Sequence, residues 1–310
     1  MSERARKSPN EPALLLLDKP AGMTSFDCIR ELKREWKRTD FGHGGTLDRF
    51  ATGLLPILMG EGLKLVRFFL DSHPSLPTYW KTYSGVIELG RATETGDPEG
   101  AVTETRAVPA MTGEQIAAAM QTFVAREYLQ TPPAYSAKKI QGERASELAR
   151  KGITPELKAV SVTIRKFEYL GHEGSRVRFR AECSKGTYIR VLALDLARRL
   201  DTAGFVNSLQ RDAVGEFRLE QAISLADAQT RGPAASALTL AQATAFLPAF
   251  PLLPNEDALL AVGKVDGLLA RLSNSGLPAN IYCARAETDA PAALLELTAQ
   301  KRANFLRAFV

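Results

Sequence analysis

The segment from residue 41 to residue 53 constrains the fold of this chain most, because it interrupts two stretches of helical periodicity. It contains four glycines: Gly42, Gly44, Gly45 and Gly53. Glycine adopts backbone conformations that are closed to other residues, so this segment is predicted to be a loop that turns tightly or approaches another group. The loop also carries His43 and Asp48, an imidazole and a carboxylate at a position where functional groups are commonly found.

Two familiar explanations of such a loop do not fit. A phosphate-binding P-loop needs Lys-Ser or Lys-Thr after its glycines, and neither follows here. A metal site needs several ligands, but the chain has only three histidines and neither an HExxH nor a CxxC motif. From the pattern alone, Asp48 fits a turn-forming role as well as a chemical one. The sequence therefore predicts no metal centre.

The rest of the chain alternates between strand and helix patterns. Strands are predicted at Ala13–Leu17, Tyr83–Leu89, Val160–Ile164 and Val177–Cys183. Helices are predicted after Ser25 as N-cap, around Leu63–Leu70, after Thr112 as cap, and from Ile189 to Leu196. The stretch Arg91–Gly100 is predicted to be a polar loop. The chain is therefore predicted to contain both helices and strands.

Composition narrows the class further. The 310 residues are 45% hydrophobic and 24% charged, which is the balance of an ordinary globular protein with about two domains. The net charge of +5 is compatible with a polyanionic partner without requiring one. The apolar runs fall short of the roughly 18 residues of a membrane span, so no membrane partner is expected. Three widely spaced cysteines and the lack of a signal peptide favour the cytoplasm.

Five motifs stand in order along residues 14 to 217. They are Leu15–Ser25, Gly42–Pro56 (GHGGTLDRFATGLLP), Lys81–Tyr83, Pro133–Lys139 with Gly142, and Cys183–Arg190. Together they resemble the motifs of the TruB-type tRNA pseudouridine synthases, which convert uridine 55 in the T-loop of tRNA into pseudouridine. This resemblance implies the tRNA T-arm as partner, a monomer, and a reaction that uses no cofactor and no metal.

The resemblance also implies an architecture. It is the pseudouridine synthase fold, an α/β (α+β) fold with a mixed, largely antiparallel central sheet flanked by helices. We expect a disordered lead-in over residues 1–12 and a catalytic domain over 13–249, within which 105–155 is an RNA-gripping insertion. After residue 250 the composition shifts to prolines, short apolar runs and glycine turns, which indicates a small β-rich module. The family places a PUA-type RNA-binding domain there.

Site residues follow from the same motifs. Asp48 matches the catalytic aspartate, which can act as a nucleophile at the base or the sugar, or as a base toward a sugar proton. Arg190 matches the arginine that pairs with it and keeps it ionised. Tyr83 matches the tyrosine that stacks on the target base, Tyr188 a second active-site tyrosine, and Leu209 an apolar residue beneath the base. By periodicity alone, Tyr83 and Leu209 fit the core equally well.

RNA contacts are implied as well. His43 matches a histidine that takes the place of the extruded base in the RNA stack. Lys19, Lys64 and Lys138 stand in matching segments and are predicted phosphate contacts, although an isolated lysine is more often plain surface. The chain departs from the family at Arg49, where proline is usual, at Ser146, where tyrosine is usual, and in an apparent insertion over 73–80.

Two other functions fit parts of the sequence. Ser136-Ala137-Lys138-Lys139 matches the SxxK pattern of penicillin-binding serine acyl enzymes, but their companion motifs and a signal peptide are missing. A non-catalytic RNA-binding protein on the same fold is the second alternative. It is disfavoured because Asp48, Arg190 and both tyrosines are all present.

Overall fold

The structure is a computed structural model that describes residues 11–70, 80–133, 135–136, 139–140, 143–144, 157–286 and 290–309. Its strands are β1 (Pro12–Lys19), β2 (Phe41–His43), β3 (Thr52–Met59), β4 (Lys81–Leu89), β5 (Arg91–Thr93), β6 (Val102–Thr105), β7 (Glu127–Gln130), β8 (Lys139–Ile140), β9 (Glu143–Arg144), β10 (Val160–Glu173), β11 (Arg176–Cys183), β12 (Gly204–Val214), β13 (Phe217–Arg218), β14 (Ile223–Ser224), β15 (Leu238–Thr239), β16 (Ala249–Pro251), β17 (Asn280–Arg285), β18 (Pro291–Leu297) and β19 (Ala303–Ala308).

The helices flank these strands. They are α1 (Ser25–Trp36), α2 (Val66–Leu70), α3 (Gly113–Gln121), α4 (Ile189–Arg199), α5 (Leu225–Arg231), α6 (Pro233–Ser236), α7 (Leu240–Ala243), α8 (Glu256–Ala261) and α9 (Asp266–Ser273), with 3-10 turns at Gly60–Leu65 and Leu219–Gln221. Within the described ranges, no helix is both long and apolar enough to cross a lipid bilayer.

An eleven-stranded sheet forms the centre of the molecule, in the order β14-β1-β3-β12-β4-β11-β10-β7 with β2, β13 and β15 beside this path. The pairs β1–β14 and β3–β12 are parallel, whereas the other pairs along this path are antiparallel. The predicted mixed, largely antiparallel sheet is therefore confirmed. It places β12 between the strand that follows the glycine-rich loop and the strand that carries Tyr83.

The strand and helix predictions hold for the long amphipathic elements. Thr112 caps α3 through a hydrogen bond from Gln115 N, as predicted. The predicted cap of α1 is wrong by one residue, because Thr24 is the N-cap and Ser25 is the first helical residue. The first strand begins at Pro12, inside the predicted lead-in. The predicted polar loop at 91–100 begins with the short strand β5, which pairs with β6.

The predicted RNA-gripping insertion over 105–155 is partly built into the domain. Strand β7 pairs with β10 at the edge of the central sheet, and Ile116 and Met120 of α3 belong to the main hydrophobic core. Residues 113–130 are therefore a packed part of the domain built on the central sheet. Much of the remainder, including Ser146, lies outside the described residues, as do residues 73–79 of the apparent insertion.

The predicted β-rich C-terminal module is present as a four-stranded sheet in the order β16-β17-β18-β19, accompanied by α8 and α9. One face has its own core, to which Leu272 and Leu295 belong. Ile281, Cys283 and Leu294 belong instead to a cluster shared with Leu54 and Phe217 of the domain built on the central sheet. The two parts of the chain are therefore joined by a continuous apolar contact.

Candidate active site

A cavity of about 380 Å³ lies where the glycine-rich loop meets the start of α4. Five residues singled out by the sequence, from three separate motifs and β12, line this one cavity: Asp48, Tyr83, Tyr188, Arg190 and Leu209. Its volume is within the range of about 300–1,000 Å³ that is typical of small-molecule sites. The fold therefore gathers, in one place, groups that are as many as 161 positions apart in the sequence (209 − 48).

The loop that carries Asp48 is fixed by its neighbours. Ser25 Oγ accepts a hydrogen bond from Leu47 N at 2.9 Å and donates one to Leu47 O at 3.3 Å, which ties the loop to α1. Gly45 has φ +126°, and a Cβ there would lie 2.8 Å from Lys81 Nζ, so only glycine fits. The loop therefore both turns tightly and comes close to another group, the ammonium of Lys81.

Arg211 anchors the loop from below. It is fully buried, and its guanidinium donates to the carbonyl oxygens of Leu54 at 2.7 Å and Gly45 at 3.1 Å. Gly53, with φ +99°, lies so close to β12 that a Cβ would meet Arg211 O at 2.5 Å. These contacts align the loop on β12. Arg211 cannot be recognised from its local sequence, because a charged residue in a strand pattern is normally placed on the solvent face.

Arg190 forms a two-pronged ion pair with Asp48. Its Nε donates to Asp48 Oδ2 at 2.9 Å and its Nη2 to Asp48 Oδ1 at 3.1 Å. Arg190 is 4% exposed, whereas the side chain of Asp48 is 38% exposed and faces the cavity. A guanidinium bound by both nitrogens fixes the plane of a carboxylate as well as its charge. Arg190 is therefore placed to orient Asp48 toward a ligand.

Arg190 is itself held by other groups. Nη1 donates to Thr95 O at 2.6 Å and lies 3.5 Å from Asp97 Oδ2, while Nη2 donates to Tyr135 O at 2.9 Å. Asp97 is buried, and its other oxygen accepts hydrogen bonds from Thr95 Oγ1 at 2.5 Å and Glu99 N at 3.0 Å. One cation thus lies between two carboxylates.

The electrostatics of Asp48 are a balance of opposing effects. Burial beside the loop raises the pKa of Asp48, and the negative charge of Asp97 adds to this rise. The Arg190 guanidinium and, more weakly, the Lys19 ammonium act to lower the pKa. Burial is the largest effect, so the pKa of this carboxyl lies above its usual range. A carboxylate of raised pKa is a stronger base and nucleophile once it is ionised.

The two tyrosines and Leu209 form walls of the cavity. Tyr83 and Leu209 are 7% and 6% exposed, and both line the cavity, so they are core residues and wall residues at once. Burial raises the pKa of the Tyr83 phenol, which keeps it a neutral hydroxyl. Tyr188 is the N-cap of α4, and its backbone is hydrogen-bonded to the buried side-chain amide of Gln130. Tyr188 N donates to Gln130 Oε1 at 2.9 Å, and Gln130 Nε2 donates to Tyr188 O at 3.2 Å.

The residues predicted to contact the RNA lie in different environments. Lys19 is fully buried, and Nζ donates to the carbonyls of Pro20 at 2.8 Å and Met23 at 2.6 Å. It is not available to a phosphate, and it stabilises the turn after β1 instead. Lys64 is 28% exposed and pairs with Glu61. Lys138 lies outside the described residues. His43 ends β2, where Nδ1 accepts a hydrogen bond from Gly45 N at 3.3 Å.

Asp97 and Gln130 were also missed by the sequence analysis, for different reasons. Asp97 stands in a segment rich in threonine, glycine and aspartate, which has the composition of an ordinary turn. Gln130 ends a short edge strand and carries no local signal of its role. Lys81 is the first residue of its motif and carries no local signal of a role. Within the described residues, no group of three His, Cys, Asp or Glu side chains could hold a metal ion.

Comparison with known proteins places this geometry in a family. The family described as "TruB family pseudouridylate synthase (N terminal domain)" matches residues 33–189. The tRNA pseudouridine synthase B of Aromatoleum aromaticum is 42% identical over 212 residues, 68% of this chain and 66% of that protein. The proteins of the same name from Dechloromonas aromatica and Escherichia coli K12 are 40% identical over 77% of each chain, and 38% identical over 73% of this chain and 69% of that protein, respectively.

Solved structures agree at the level of the fold. A chain of a Cbf5-Nop10-Gar1 complex superposes with a TM-score of 0.69 at 20% identity, covering 99% of this chain and 88% of that one. A chain of an H/ACA RNP bound to a substrate RNA containing 2′-deoxyuridine gives a TM-score of 0.67 at 18% identity, covering 100% and 93%.

The central sheet, the cavity beside it and these neighbours define a protein with the pseudouridine synthase fold. More particularly, the chain belongs to the TruB family of pseudouridylate synthases.

Proposed function

We propose that this protein converts uridine 55 in the T-loop of tRNA into pseudouridine, with Asp48 as the reacting carboxylate. Isomerisation of uridine in tRNA is the activity named for its relatives of about 40% identity. The single observation that carries the proposal for this chain is the Asp48–Arg190 pair: an oriented carboxylate, partly exposed, at the wall of a cavity of nucleoside size. The same contact makes a purely RNA-binding role for this fold the weaker alternative.

Recognition of the RNA precedes the chemistry. The chain carries five more positive than negative charges, and phosphate contacts make RNA binding sensitive to salt. The target uridine leaves the stack and enters the cavity, where Tyr83 stacks on its ring and Leu209 and Tyr188 complete the wall. His43, two residues before the cavity-lining Gly45, occupies the vacated place in the stack. Lys64 contributes to phosphate binding at the edge of the same domain.

The chemistry needs one carboxylate and no oxidant. The C1′–N1 bond breaks, the base rotates, and a new bond forms between C1′ and C5. The hydrogen on C5 leaves as a proton and N1 gains one, so substrate and product are isomers. Asp48 assists by attacking the sugar or the base, or by removing a sugar proton. Each role requires an ionised carboxylate held in one orientation, and the contact with Arg190 supplies that orientation.

The C-terminal module completes the RNA surface. The described part of residues 250–310 forms a small β-sheet domain that packs against the catalytic domain through Ile281 and Leu294. We assign it a PUA-type role in gripping the tRNA beyond the T-loop. The enzyme acts as a monomer in the cytoplasm, where its substrate is made, and it requires no cofactor or metal.

Release of tritium from a T-arm RNA labelled at C5 of uridine 55 tests this function. Formation of the C1′–C5 bond must expel that hydrogen, so the wild-type enzyme is expected to release one tritium for each RNA. The same RNA labelled at another uridine is the control and should release none. Binding without release would contradict the proposal and favour a non-catalytic RNA-binding protein.

A further inference from the structure

Lys81 is a buried lysine that the chemistry above does not use. It is the first residue of β4, it is 9% exposed, and it lines the same cavity as Asp48. Among the described residues, no carboxylate lies within ion-pair distance of its ammonium group. The cations that act on it are Arg211 and Lys185, and the thiol of Cys183, whose pKa burial raises to about 12, is neutral.

The neighbouring cation increases this excess of positive charge. Arg211 is fully buried, and its hydrogen bonds to Leu54, Thr46 and Gly45 go to neutral carbonyl oxygens. These bonds satisfy its donors without cancelling its charge. Lys185, half-buried, also lines the cavity. A buried positive charge that lacks a counter-ion is costly to fold, and it is typically kept because a ligand supplies the missing negative charge.

A second feature of the cavity points to a polar ligand. Ser136 is 5% exposed and lines the cavity, and its Oγ has no hydrogen-bond partner within the described part of the protein. A buried hydroxyl without a partner costs free energy unless a ligand or water satisfies it. The cavity therefore presents at least one cation and one hydroxyl to whatever fills it.

We propose that the Lys81 ammonium binds an anionic oxygen of the target nucleotide inside this cavity. This inference rests on the proposed function and adds a second charged group to it. Two sources of the oxygen are available in the substrate. One is the phosphodiester beside the flipped uridine. The other is a uracil oxygen, which takes up negative charge when the C1′–N1 electron pair moves onto the base and loses it when C5 bonds to C1′ and its proton leaves.

The test compares Lys81→Met with Lys81→Arg, and uses Lys166→Met, a change at an exposed lysine on β10, as a matched control. Methionine keeps the length of the side chain and removes its charge, whereas arginine keeps the charge. The measurements are the single-turnover rate of tritium release at saturating enzyme and the Kd for the T-arm RNA at several salt concentrations. The wild-type enzyme run in parallel tests the proposed function by itself, because a wild type that binds RNA without release would overturn that function and not the role of Lys81.

A loss of at least tenfold in rate or affinity in Lys81→Met, with substantial recovery in Lys81→Arg, supports the proposal. If the oxygen belongs to a phosphate, Lys81→Met binds the RNA more weakly. The slope of log K against log salt concentration then becomes shallower by about one. A methylphosphonate 5′ of uridine 55 then produces the same loss in the wild type and none in the variant. If the oxygen belongs to uracil, the rate falls about 10²–10³-fold while Kd is unchanged. Wild-type rate and Kd in Lys81→Met would overturn the proposal.

Stability separates this role from a structural one. Burial and Arg211 lower the pKa of Lys81 to about 8, so below pH 8 the fold carries a charge that the unfolded chain holds more easily. Lys81→Met should therefore raise Tm at pH 7 while it lowers activity. A lower Tm would indicate that Lys81 supports the fold and would overturn the proposal.

The pH dependence of the rate gives a further test. The rate at limiting RNA should fall above pH 8 in the wild type, and in Lys81→Arg it should fall only at a higher pH. The other titratable or charged groups that line the cavity are Asp48, Tyr83, Lys185, Tyr188 and Arg190, and the buried Arg211 and Cys183 act on Lys81 from outside it.

Discussion

At the residue scale, the reactivity of Asp48 depends on the other groups that contact Arg190 at the same time. One guanidinium bonds both oxygens of Asp48, approaches Asp97, and donates to two backbone carbonyls. This arrangement fixes the carboxylate through five polar contacts of a buried cation. Geometry of this kind cannot be supplied by another cation of equal charge, because only arginine presents parallel donors in a plane.

Arg190→Lys should therefore be nearly as damaging as loss of the charge. The ammonium can reach one oxygen of Asp48 but cannot hold both, so we expect the single-turnover rate to fall about a hundredfold. Kd for the RNA should stay within about threefold, because Arg190 is buried behind Asp48. Arg198→Lys on the exposed face of α4 is the control. A wild-type rate in Arg190→Lys would show that charge alone is sufficient.

The pH dependence of the reaction tests the balance around Asp48. Its pKa is raised by burial and by Asp97 and lowered by Arg190, so activity should rise with pH through a midpoint above the usual range of an aspartate. Asp97→Asn removes one of the raising effects. The acid limb of the pH–rate profile should then move to lower pH, while Asp195→Asn, on the other side of α4, leaves it in place. An acid limb that moves to higher pH in Asp97→Asn would contradict this account.

At the element scale, the cavity depends on a few short connections rather than on long elements. The loop after β2 is tied to α1 through Ser25 and to β12 through Arg211, and the start of α4 is tied to β7 through Gln130. Each tie joins segments that are distant in the sequence. Asp48 and Arg190 meet because the loop before β3 and the start of α4 both line the cavity beside Tyr83 of β4 and Leu209 of β12.

Gln130→Leu should loosen the start of α4. It would leave the N–H of Tyr188 without its buried partner, which costs about 1–3 kcal/mol, and it would remove the side-chain bond to Tyr188 O, which keeps its bonds from Val191 N and Leu192 N. We expect a lower Tm in thermal unfolding and a reduced rate, because Tyr188 and Arg190 share that turn. Gln121→Leu removes a single bond to Phe167 O and should cost less. Equal Tm values for the two variants would argue against the tie.

Arg49 shows how this chain fixes its loop without the proline that its family usually has there. Arg49 Nε donates to Gly22 O at 2.9 Å, and Gly22 N donates to Arg49 O at 2.9 Å, so the two residues exchange a pair of hydrogen bonds. Its guanidinium also lies 3.8 Å from Glu99. A side-chain contact thus joins the catalytic loop to the turn after β1, in place of a restrained φ angle.

Local patterns predicted the elements whose burial alternates regularly and failed where contacts between distant segments decide. Strand β11 alternates three exposed arginines and the half-buried Glu182 with buried apolar residues, and its predicted bounds are nearly the observed ones. Strand β3 is buried along almost its whole length and contains Pro56, so it offers no alternation to read. Lys19 was misplaced because a lysine pattern does not show that the ammonium caps backbone carbonyls. The motifs predicted Asp48 and Arg190 only through resemblance, since no local rule links residues 142 positions apart.

At the scale of the whole molecule, the catalytic domain and the C-terminal module share one apolar cluster. Leu294 and Ile281 of the module are fully buried in it together with Leu54 and Phe217 of the catalytic domain. Leu294→Ala should cost about 2–5 kcal/mol of unfolding free energy. Because the cluster spans both parts, calorimetry should still show a single transition, at a lower temperature. Two separate transitions would show that the parts unfold independently.

The central claim is that Asp48, oriented by Arg190, performs the isomerisation. The most direct test is tritium release from the T-arm RNA labelled at C5 of uridine 55, with the wild type beside Asp48→Asn. Asparagine keeps the shape of the side chain and removes its charge. The account predicts release by the wild type, loss of release in Asp48→Asn, and a similar Kd for both. Release by Asp48→Asn at the wild-type rate, with RNA binding intact, would contradict it.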